Sequence, residues 1–224
     1  MTRSNRLPSR FERGSRQLIA GTPTEFVELQ GNSAVRNENL WGYEIGYRAQ
    51  LSVNLSVDAA AFYNHYTHSS GEQELSESLV LIRSNVTTRT YGGELAGEWG
   101  MLTWGRPRPA VSYFQVRRSA PEGIEGQSGE EPAHQLSIRS LMDLTNTLEF
   151  DTTFLFVDRL PGLGISNYQN LDVRLGWRPT SHVEFSLVGH NLLEARHLEF
   201  KPEFIQTSVS QIQRGLFAKV TWRF

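Results

Sequence analysis

The last eleven residues, RGLFAKVTWRF (residues 214–224), hold the clearest structural pattern in the sequence. From Leu216 to Phe224 every second residue is apolar, and Lys219, Thr221 and Arg223 on the other face are polar or charged. Successive side chains of a β-strand point to opposite faces. This stretch therefore predicts a strand with one apolar face and one charged face, which ends the chain on an aromatic residue.

The same alternation recurs along most of the chain, and a helical period is hard to find. Including the terminal strand, about nine segments show this pattern. The other eight are YEIGYRAQL (43–51), LSVDAAAFYNHY (55–66), TYGGELAGEWGM (90–101), PAVSYFQVRR (109–118), QLSIRSLMDL (135–144), LEFDTTFLF (148–156), NLDVRLGW (170–177) and HVEFSLVGHN (182–191). We therefore predict an all-β fold built from antiparallel strands.

The length and polarity of these segments favour a membrane barrel. They run to roughly 9–13 residues, whereas strands of globular proteins usually have about 5 or 6 and a tilted membrane strand needs about 9–11. One face carries charges at mid-strand, and the other often ends in Tyr, Trp or Phe, as in an apolar band between aromatic girdles. A soluble antiparallel sheet with one wet face is the alternative. Nine long strands of this kind would then leave a very large apolar surface to cover.

Composition excludes several other classes. No run approaches the roughly 18 apolar residues of a membrane-spanning helix. The chain of 224 residues has no cysteine, which excludes disulfides and thiolate metal sites. The formal net charge is only −2, so no overall field favours nucleic acid as a partner.

The connections between the predicted strands alternate between short and long, as do the periplasmic turns and extracellular loops of outer-membrane barrels. The segment 67–86 is expected to be one of the long loops. Because the last strand follows a long connection, Phe224 is expected at the periplasmic rim. Counting back, residues 1–41 should be an extracellular loop segment and residues 42–224 barrel strands. A bacterial barrel has an even number of strands, so nine strands that start outside read as the C-terminal segment of a larger barrel.

Four segments carry a family resemblance: RLPSRFERG (6–14), ENLWGYEIGYR (38–48), NYQNLDVRLGWRPTSHVEFSLVGHNLLEARHLEF (167–200) and the terminal RGLFAKVTWRF. Together they resemble the C-terminal half of the barrel of TonB-dependent outer-membrane receptors, and the last two are the most specific. The resemblance implies a 22-stranded barrel with a plugged lumen, a recognised size class of outer-membrane transporter. It also implies TonB-dependent uptake of a scarce solute, expected to be a ferric siderophore or similar chelate.

The partners that follow from this resemblance are outer-membrane lipids, the barrel-assembly machinery, a small-molecule ligand and the TonB complex, which acts through a plug. We find no plug, TonB-contacting box or signal peptide in the sequence, so residues 1–224 alone are expected to be inactive. No nucleophile with a matching base is evident, which argues against an enzyme. A passive porin-like or structural barrel is the alternative function, and a soluble all-β binding module is a third class.

Three sets of residues are candidates for function, and no catalytic residue, metal site or cofactor is predicted. By resemblance, the barrel-assembly signal comprises Val220, Trp222 and Phe224. The polar residues expected to face the lumen are Glu44, Arg48, Asp58, Glu94, Glu98, Arg139, Asp151, Asp172, Arg174, Lys219 and Arg223. A possible ligand loop contains Arg6, Arg10, Arg13, His65 and His68. Arginine can form charge-assisted contacts to an anionic substrate or to lipopolysaccharide phosphates. Ordinary solvated loop polarity is the alternative for this third set.

Overall fold

The computed structural model describes residues 1–22, 25–100, 104–124, 129–201 and 208–224, and it is almost entirely β-structure. One five-residue helix, α1 (Arg10–Gly14), and a 3₁₀ turn (Pro161–Leu163) interrupt the strands. The strands are β1 (Thr2–Arg6), β2 (Arg16–Thr22), β3 (Glu25–Gln30), β4 (Glu38–Ser52), β5 (Leu55–Ser76), β6 (Leu79–Trp99), β7 (Gly105–Ser119), β8 (His134–Asp143), β9 (Leu148–Val157), β10 (Tyr168–Trp177), β11 (Val183–His190), β12 (Arg196–His197), β13 (Ile212–Gln213) and β14 (Gly215–Trp222).

Ten of these strands form one antiparallel path in the order β1-β4-β5-β6-β7-β8-β9-β10-β11-β14. The predicted all-β antiparallel fold is confirmed, and each of the nine predicted segments corresponds to a strand. The sheet is open, because β1 and β14 do not pair with each other within the described ranges.

The first strand differs from the prediction. Residues 2–6 fall in the segment expected to be a loop, yet β1 pairs with residues 38–42 of β4. Its sequence, TRSNR, has no apolar alternation that could have indicated a strand. Its conformation is set instead by the unpaired edge of β4, which offers backbone donors and acceptors to a neighbouring segment.

The register gives the sheet two chemically different faces. On the apolar face, Leu175 lies between Phe150 of β9 and Leu187 of β11, and the rings of Trp177 and Phe185 stack with centroids 5.6 Å apart. Leu175 is 40% exposed, so it does not point into a packed protein centre. No helix within the described residues is long and apolar enough to cross a membrane.

The segment 67–86 is not the long loop that the sequence predicted. β5 and β6 continue through it as one hairpin, whose tip is the two-residue turn Glu77–Ser78. The reason is a second alternating pattern, in which Val80, Ile82 and Val86 are buried at every second or fourth position. Val80 and Ile82 are covered by β3, which pairs in parallel with the start of β6.

This end of the hairpin has a small core of its own. Leu29 and Val35 pack with Val80 and Ile82 in a buried apolar cluster, and Val27 adds to it. We use "distal subdomain" for residues 7–37 together with residues 67–88, which contain α1, β2, β3 and the far ends of β5 and β6. The distal subdomain is held by buried apolar contacts, whereas the rest of the sheet is a single layer.

Candidate functional site

The predicted lumen-facing residues all lie on one side of the sheet. Because side chains alternate along each strand, the register fixes which residues share a face. Arg48 lies opposite Asp58, Arg139 opposite Thr153, and Asp151 opposite Arg174. Followed across every strand in this way, one face contains Glu44, Arg48, Asp58, Glu94, Glu98, Arg139, Asp151, Asp172, Arg174, Lys219 and Arg223. We call this the charged face.

Arg174 is the centre of an ion-pair network on the charged face. Its Nη1 donates to Glu149 and Asp151, and its Nη2 donates to Glu184, each over 2.9 Å. Arg178 also pairs with Glu149, and Arg223 lies 3.7 Å from Glu184. Sequence analysis found Arg174, Asp151 and Arg223 but missed the two glutamates, which belong to the same alternating positions of β9 and β11. The network ties strands β9, β10 and β11 together.

Other charges of this face pair locally. Arg48 binds Asp58 on the next strand, and Arg108 lies 3.0 Å from Glu98. Asp172 is 3.1 Å from His190. Four of the eleven predicted residues take no part in the salt bridges of the described residues; they are Glu44, Glu94, Arg139 and Lys219. These four are available to groups outside this chain.

Arg6 from the predicted ligand loop has a structural contact. Its guanidinium donates to both carboxylate oxygens of Glu12, over 3.0 and 2.8 Å, and lies 3.6 Å from Glu38. Glu12 also accepts from the Ser70 hydroxyl over 2.6 Å and from the backbone N–H of Ser9 over 2.7 Å. Hydrogen bonding by Arg6, followed by that of Ser70 and Ser9, lowers the pKa of Glu12 from 4.5 to about 2 against the opposing effect of burial.

The same glutamate begins α1. The Ser9 hydroxyl accepts from the backbone N–H of Glu12 while the Glu12 carboxylate accepts from the N–H of Ser9, which forms a capping box. Gly31 lies against the end of this helix, and a Cβ there would be 2.6 Å from the carbonyl oxygen of Phe11. The sequence RLPSRFERG therefore forms a compact, charge-paired corner of the distal subdomain.

The other predicted loop residues do not gather at one site. Arg10 is exposed, and Arg13 donates to the carbonyl of Val35 over 3.4 Å. His68 has a left-handed backbone, with φ of 63°, and its Nε2 lies 3.5 Å from Arg36. His65 lies on the apolar face, opposite Trp41. Within the described residues, no cluster of three or more His, Cys, Asp or Glu could hold a metal ion.

The last long connection begins with a buried asparagine, Asn191, whose role sequence analysis did not predict. Asn191 is 1% exposed and has a left-handed φ of 51°. Its backbone N–H donates to Asp172 over 3.0 Å, and its side-chain amide donates to the carbonyl of Ile212 over 3.3 Å. Further along, His197 stacks on Tyr168 at 4.3 Å and lies 2.9 Å from Glu199. These contacts give the NLLEARHLEF run a role in holding the connection against β10.

The closing strand lies at one edge of the sheet. β14 pairs with β11 on one side, with Val220 opposite Phe185 and Trp222 opposite Val183. Val220 and Trp222 are 64% and 74% exposed on the apolar face, and Phe224 is fully exposed just beyond the strand. The residues predicted as an assembly signal are thus unobstructed.

An open antiparallel sheet with an exposed apolar face and an ion-paired face is the wall of a membrane β-barrel. A sequence model of the family described as "TonB dependent receptor-like, beta-barrel" matches residues 2–192. The chain belongs to this family, whose members are transport receptors and not enzymes. No curated protein matches the chain in sequence.

Solved structures of the family share the fold at low identity. The FrpB iron transporter from Neisseria meningitidis is 12% identical, with a TM-score of 0.67, and the match covers 88% of this chain and 33% of FrpB. The copper transporter OprC is 15% identical, with a TM-score of 0.68 over 99% of this chain and 36% of OprC. The ferripyoverdine receptor of Pseudomonas aeruginosa, bound to ferripyoverdine, is 15% identical, with a TM-score of 0.65 over 84% and 27%. The chain thus spans about a third of the length of these structures.

Proposed function

We propose that this chain forms part of the wall of an outer-membrane receptor that imports a scarce solute, a ferric siderophore or similar chelate, with energy supplied through TonB. In this proposal the apolar face contacts lipid and the charged face lines the channel. The distal subdomain and the long connections lie outside the cell, where they meet the ligand. The iron and copper transporters among the structural neighbours support a metal chelate as the substrate class.

The observation that carries the proposal is the charged face. A lipid-facing Arg or Lys at mid-bilayer costs about 2–4 kcal/mol, whereas groups that face a lumen can pair with each other or with water. Arg174 binds three carboxylates on neighbouring strands, which is the arrangement expected for a hydrated interior wall. In this proposal the residues of the charged face that form no salt bridge within the described residues, such as Glu44 and Lys219, contact a plug inside the channel.

The test is uptake of radioactive iron, or of radioactive copper for the copper chelates, by cells that lack their own receptors for metal chelates. The receptor is expressed at the full length of its gene, and catecholate, hydroxamate and copper chelates are supplied in turn. We expect uptake of one chelate class in cells that contain TonB and none in cells without it. Equal uptake in both strains would refute the proposal and favour a passive porin-like barrel.

Residues 1–224 expressed alone provide the companion experiment. The sheet that they form is open, so we expect no uptake even where the polypeptide reaches the membrane. Uptake by this segment at the rate of the full-length receptor would contradict the proposal that transport needs a complete barrel with its plug.

The terminal aromatic residue is proposed to be part of the signal read by the barrel-assembly machinery, together with Val220 and Trp222. We expect Phe224→Asp to reduce the amount of folded barrel, detected by its altered gel mobility before heating, while Phe224→Tyr leaves that amount near the wild-type value. Equal assembly of both variants would show that an aromatic terminus is not needed.

A further inference from the structure

A row of cationic and aromatic side chains crosses five strands on the apolar face. The register places Arg3 opposite Trp41, Trp41 opposite His65, His65 opposite Arg89, and Arg89 opposite Arg117. Adjacent strands lie about 4.8 Å apart, so the row is about 19 Å long. We call these five residues the basic row.

The basic row lies directly beside an aromatic girdle. Two residues along each strand, Tyr43, Tyr63 and Tyr91 are paired across β4, β5 and β6, and Tyr113 lies 6.5 Å from Tyr91. Tyrosine collects at the interface between lipid and water, where its ring is in the hydrocarbon and its hydroxyl is in water. The next residues towards the distal subdomain therefore lie at the depth of lipid headgroups.

The two arginines at one end of the row, Arg89 and Arg117, form no salt bridge with a carboxylate of the described residues. Arg89 and Arg117 are both exposed and face each other across neighbouring strands, where like charges repel. Arg117 lies over the Tyr91 ring at 5.6 Å, and Arg3 lies over Trp41 at 5.0 Å. On the opposite face, the neighbouring Arg118 has Glu131 at 3.4 Å, whereas no salt bridge of the described residues includes Arg89 or Arg117. Two unneutralised arginines on neighbouring strands at the same level are suited to binding an anion between them.

We infer that the basic row binds the phosphate of an outer-leaflet glycolipid of the lipid A type. Arginine recognises phosphate through two parallel N–H bonds, and an aromatic ring beside it holds the guanidinium in place. Towards the membrane centre, the same face has an apolar groove of about 310 Å³ that includes Val57, Leu95, Gly97, Pro109 and Val111. This groove lies six to eight residues from the basic row along the strands, about 20–26 Å away, so it belongs to the same lipid-facing surface but not to the phosphate site. The inference rests on the proposed function in two respects: the apolar face contacts the outer membrane, and the distal subdomain lies outside the cell.

The test compares two double variants that remove equal charge from opposite faces. Arg89→Gln with Arg117→Gln alters the basic row. Arg106 lies two residues from Arg108 in β7 and therefore on the charged face, so Arg106→Gln with Arg139→Gln is the matched control there. Each full-length receptor is extracted in mild detergent, and native mass spectrometry measures its retained lipid A. A basic residue near an anionic membrane surface contributes about fivefold to binding, so the first variant should bind about 30-fold more weakly. The control should bind as the wild type does.

A second measurement needs no variant, so the result does not depend on how well a mutant folds. Wild-type receptor is offered lipid A, its dephosphorylated form, phosphatidylglycerol, and inorganic phosphate as a competitor. We expect lipid A to bind most strongly, the dephosphorylated form about 30-fold more weakly, and inorganic phosphate not to displace the lipid at millimolar concentration.

Equal binding of phosphorylated and dephosphorylated lipid would overturn the inference, as would unchanged lipid A binding by the basic-row variant. Displacement by inorganic phosphate would also overturn it, because it would show a simple anion site. Failure of the proposed function would give a different result. The receptor would form a folded barrel, shown by its gel mobility, but its iron uptake would not depend on TonB.

Discussion

Glu12 is the residue whose replacement should most clearly separate the distal subdomain from the rest of the sheet. In Glu12→Gln the side chain keeps its shape but loses its charge. Two hydrogen bonds from Arg6, one from Ser70 and one from the N–H of Ser9 converge on this carboxylate, and its side chain is only 11% exposed. The substitution therefore weakens four contacts that join α1, β1 and β5.

The size of the effect follows from the pKa. Lowering the pKa of Glu12 from 4.5 to about 2 corresponds to at most about 3.4 kcal/mol, at 1.36 kcal/mol per pH unit. Arg6 is half exposed, and solvent screening of that partner reduces the contribution. We expect Glu12→Gln to destabilise the distal subdomain by about 2 kcal/mol.

Amide hydrogen exchange measures this locally. Peptides from residues 7–37 and 67–88 should exchange about 30-fold faster in Glu12→Gln, because local opening becomes about 2 kcal/mol easier. Peptides from β9–β11 should be unchanged. Glu28→Gln is the matched control, since Glu28 lies in β3 and pairs with a largely exposed Arg16 at 3.5 Å, a contact that contributes about 0–1 kcal/mol. Equal exchange in the two variants would refute the reasoning.

The same carboxylate sets a pH dependence. A group whose pKa is lower in the folded state stabilises that state above its unfolded pKa. The contribution of Glu12 should therefore be complete above about pH 4.5 and be lost as the pH falls through about 2. As the pH falls through this window, the wild type should lose protection of the backbone amides of residues 7–37 against hydrogen exchange, and Glu12→Gln should lose less. The comparison is made after correction for the intrinsic exchange rate at each pH. Parallel curves for the two proteins would contradict the assignment.

Three further substitutions test the sheet. Arg174→Gln leaves three carboxylates without their shared partner and should destabilise the barrel by about 2 kcal/mol, measured as a lower urea midpoint of the gel-mobility shift. Adding Glu184→Gln should restore part of this stability. If the second substitution restores none of it, the network does not stabilise the barrel. Leu187→Arg should lower the stability of the barrel by about 2–4 kcal/mol in the same assay, because Leu187 faces lipid. The neighbouring substitution Ser186→Arg should lower it by less than about 1 kcal/mol, because Ser186 is on the charged face. Equal losses of stability would contradict the assignment of the two faces. Gly92→Ala should cost about 1–3 kcal/mol, because the added Cβ meets backbone on the next strand, and an unchanged midpoint would show that the strands can separate to admit it.

The faces of the sheet could be predicted from sequence because strand alternation requires no knowledge of partners. Leu175 and Arg174 fall on opposite faces in any register that keeps the strand. The ion-pair network could not be predicted in the same way. Whether Arg174 meets Glu149 or a different charge depends on how two strands are staggered, and a shift of two residues would change the partner without changing the face.

The distal subdomain was harder to predict for a different reason. Its core combines Leu29 and Val35 with Val80 and Ile82, which are about fifty residues apart in sequence, and no local pattern joins them. A local signal at α1 did exist, because Ser9 and Glu12 have the spacing of a capping box. The left-handed backbone of Asn191 could not be predicted from the sequence, since a single Asn between a strand and a loop is compatible with many conformations.

The contrast between the two parts of the molecule also explains the choice of side chains on the sheet. The distal subdomain buries Leu29 and Val86 almost completely, so its apolar side chains are covered by the chain itself. On the sheet, Ile45 and Leu216 remain 74% and 71% exposed, and nothing in the described residues covers them. Burial of apolar surface is the main favourable term in folding, so these side chains need an apolar environment outside the chain. A lipid bilayer supplies that environment on one face only, which is why the charges collect on the other.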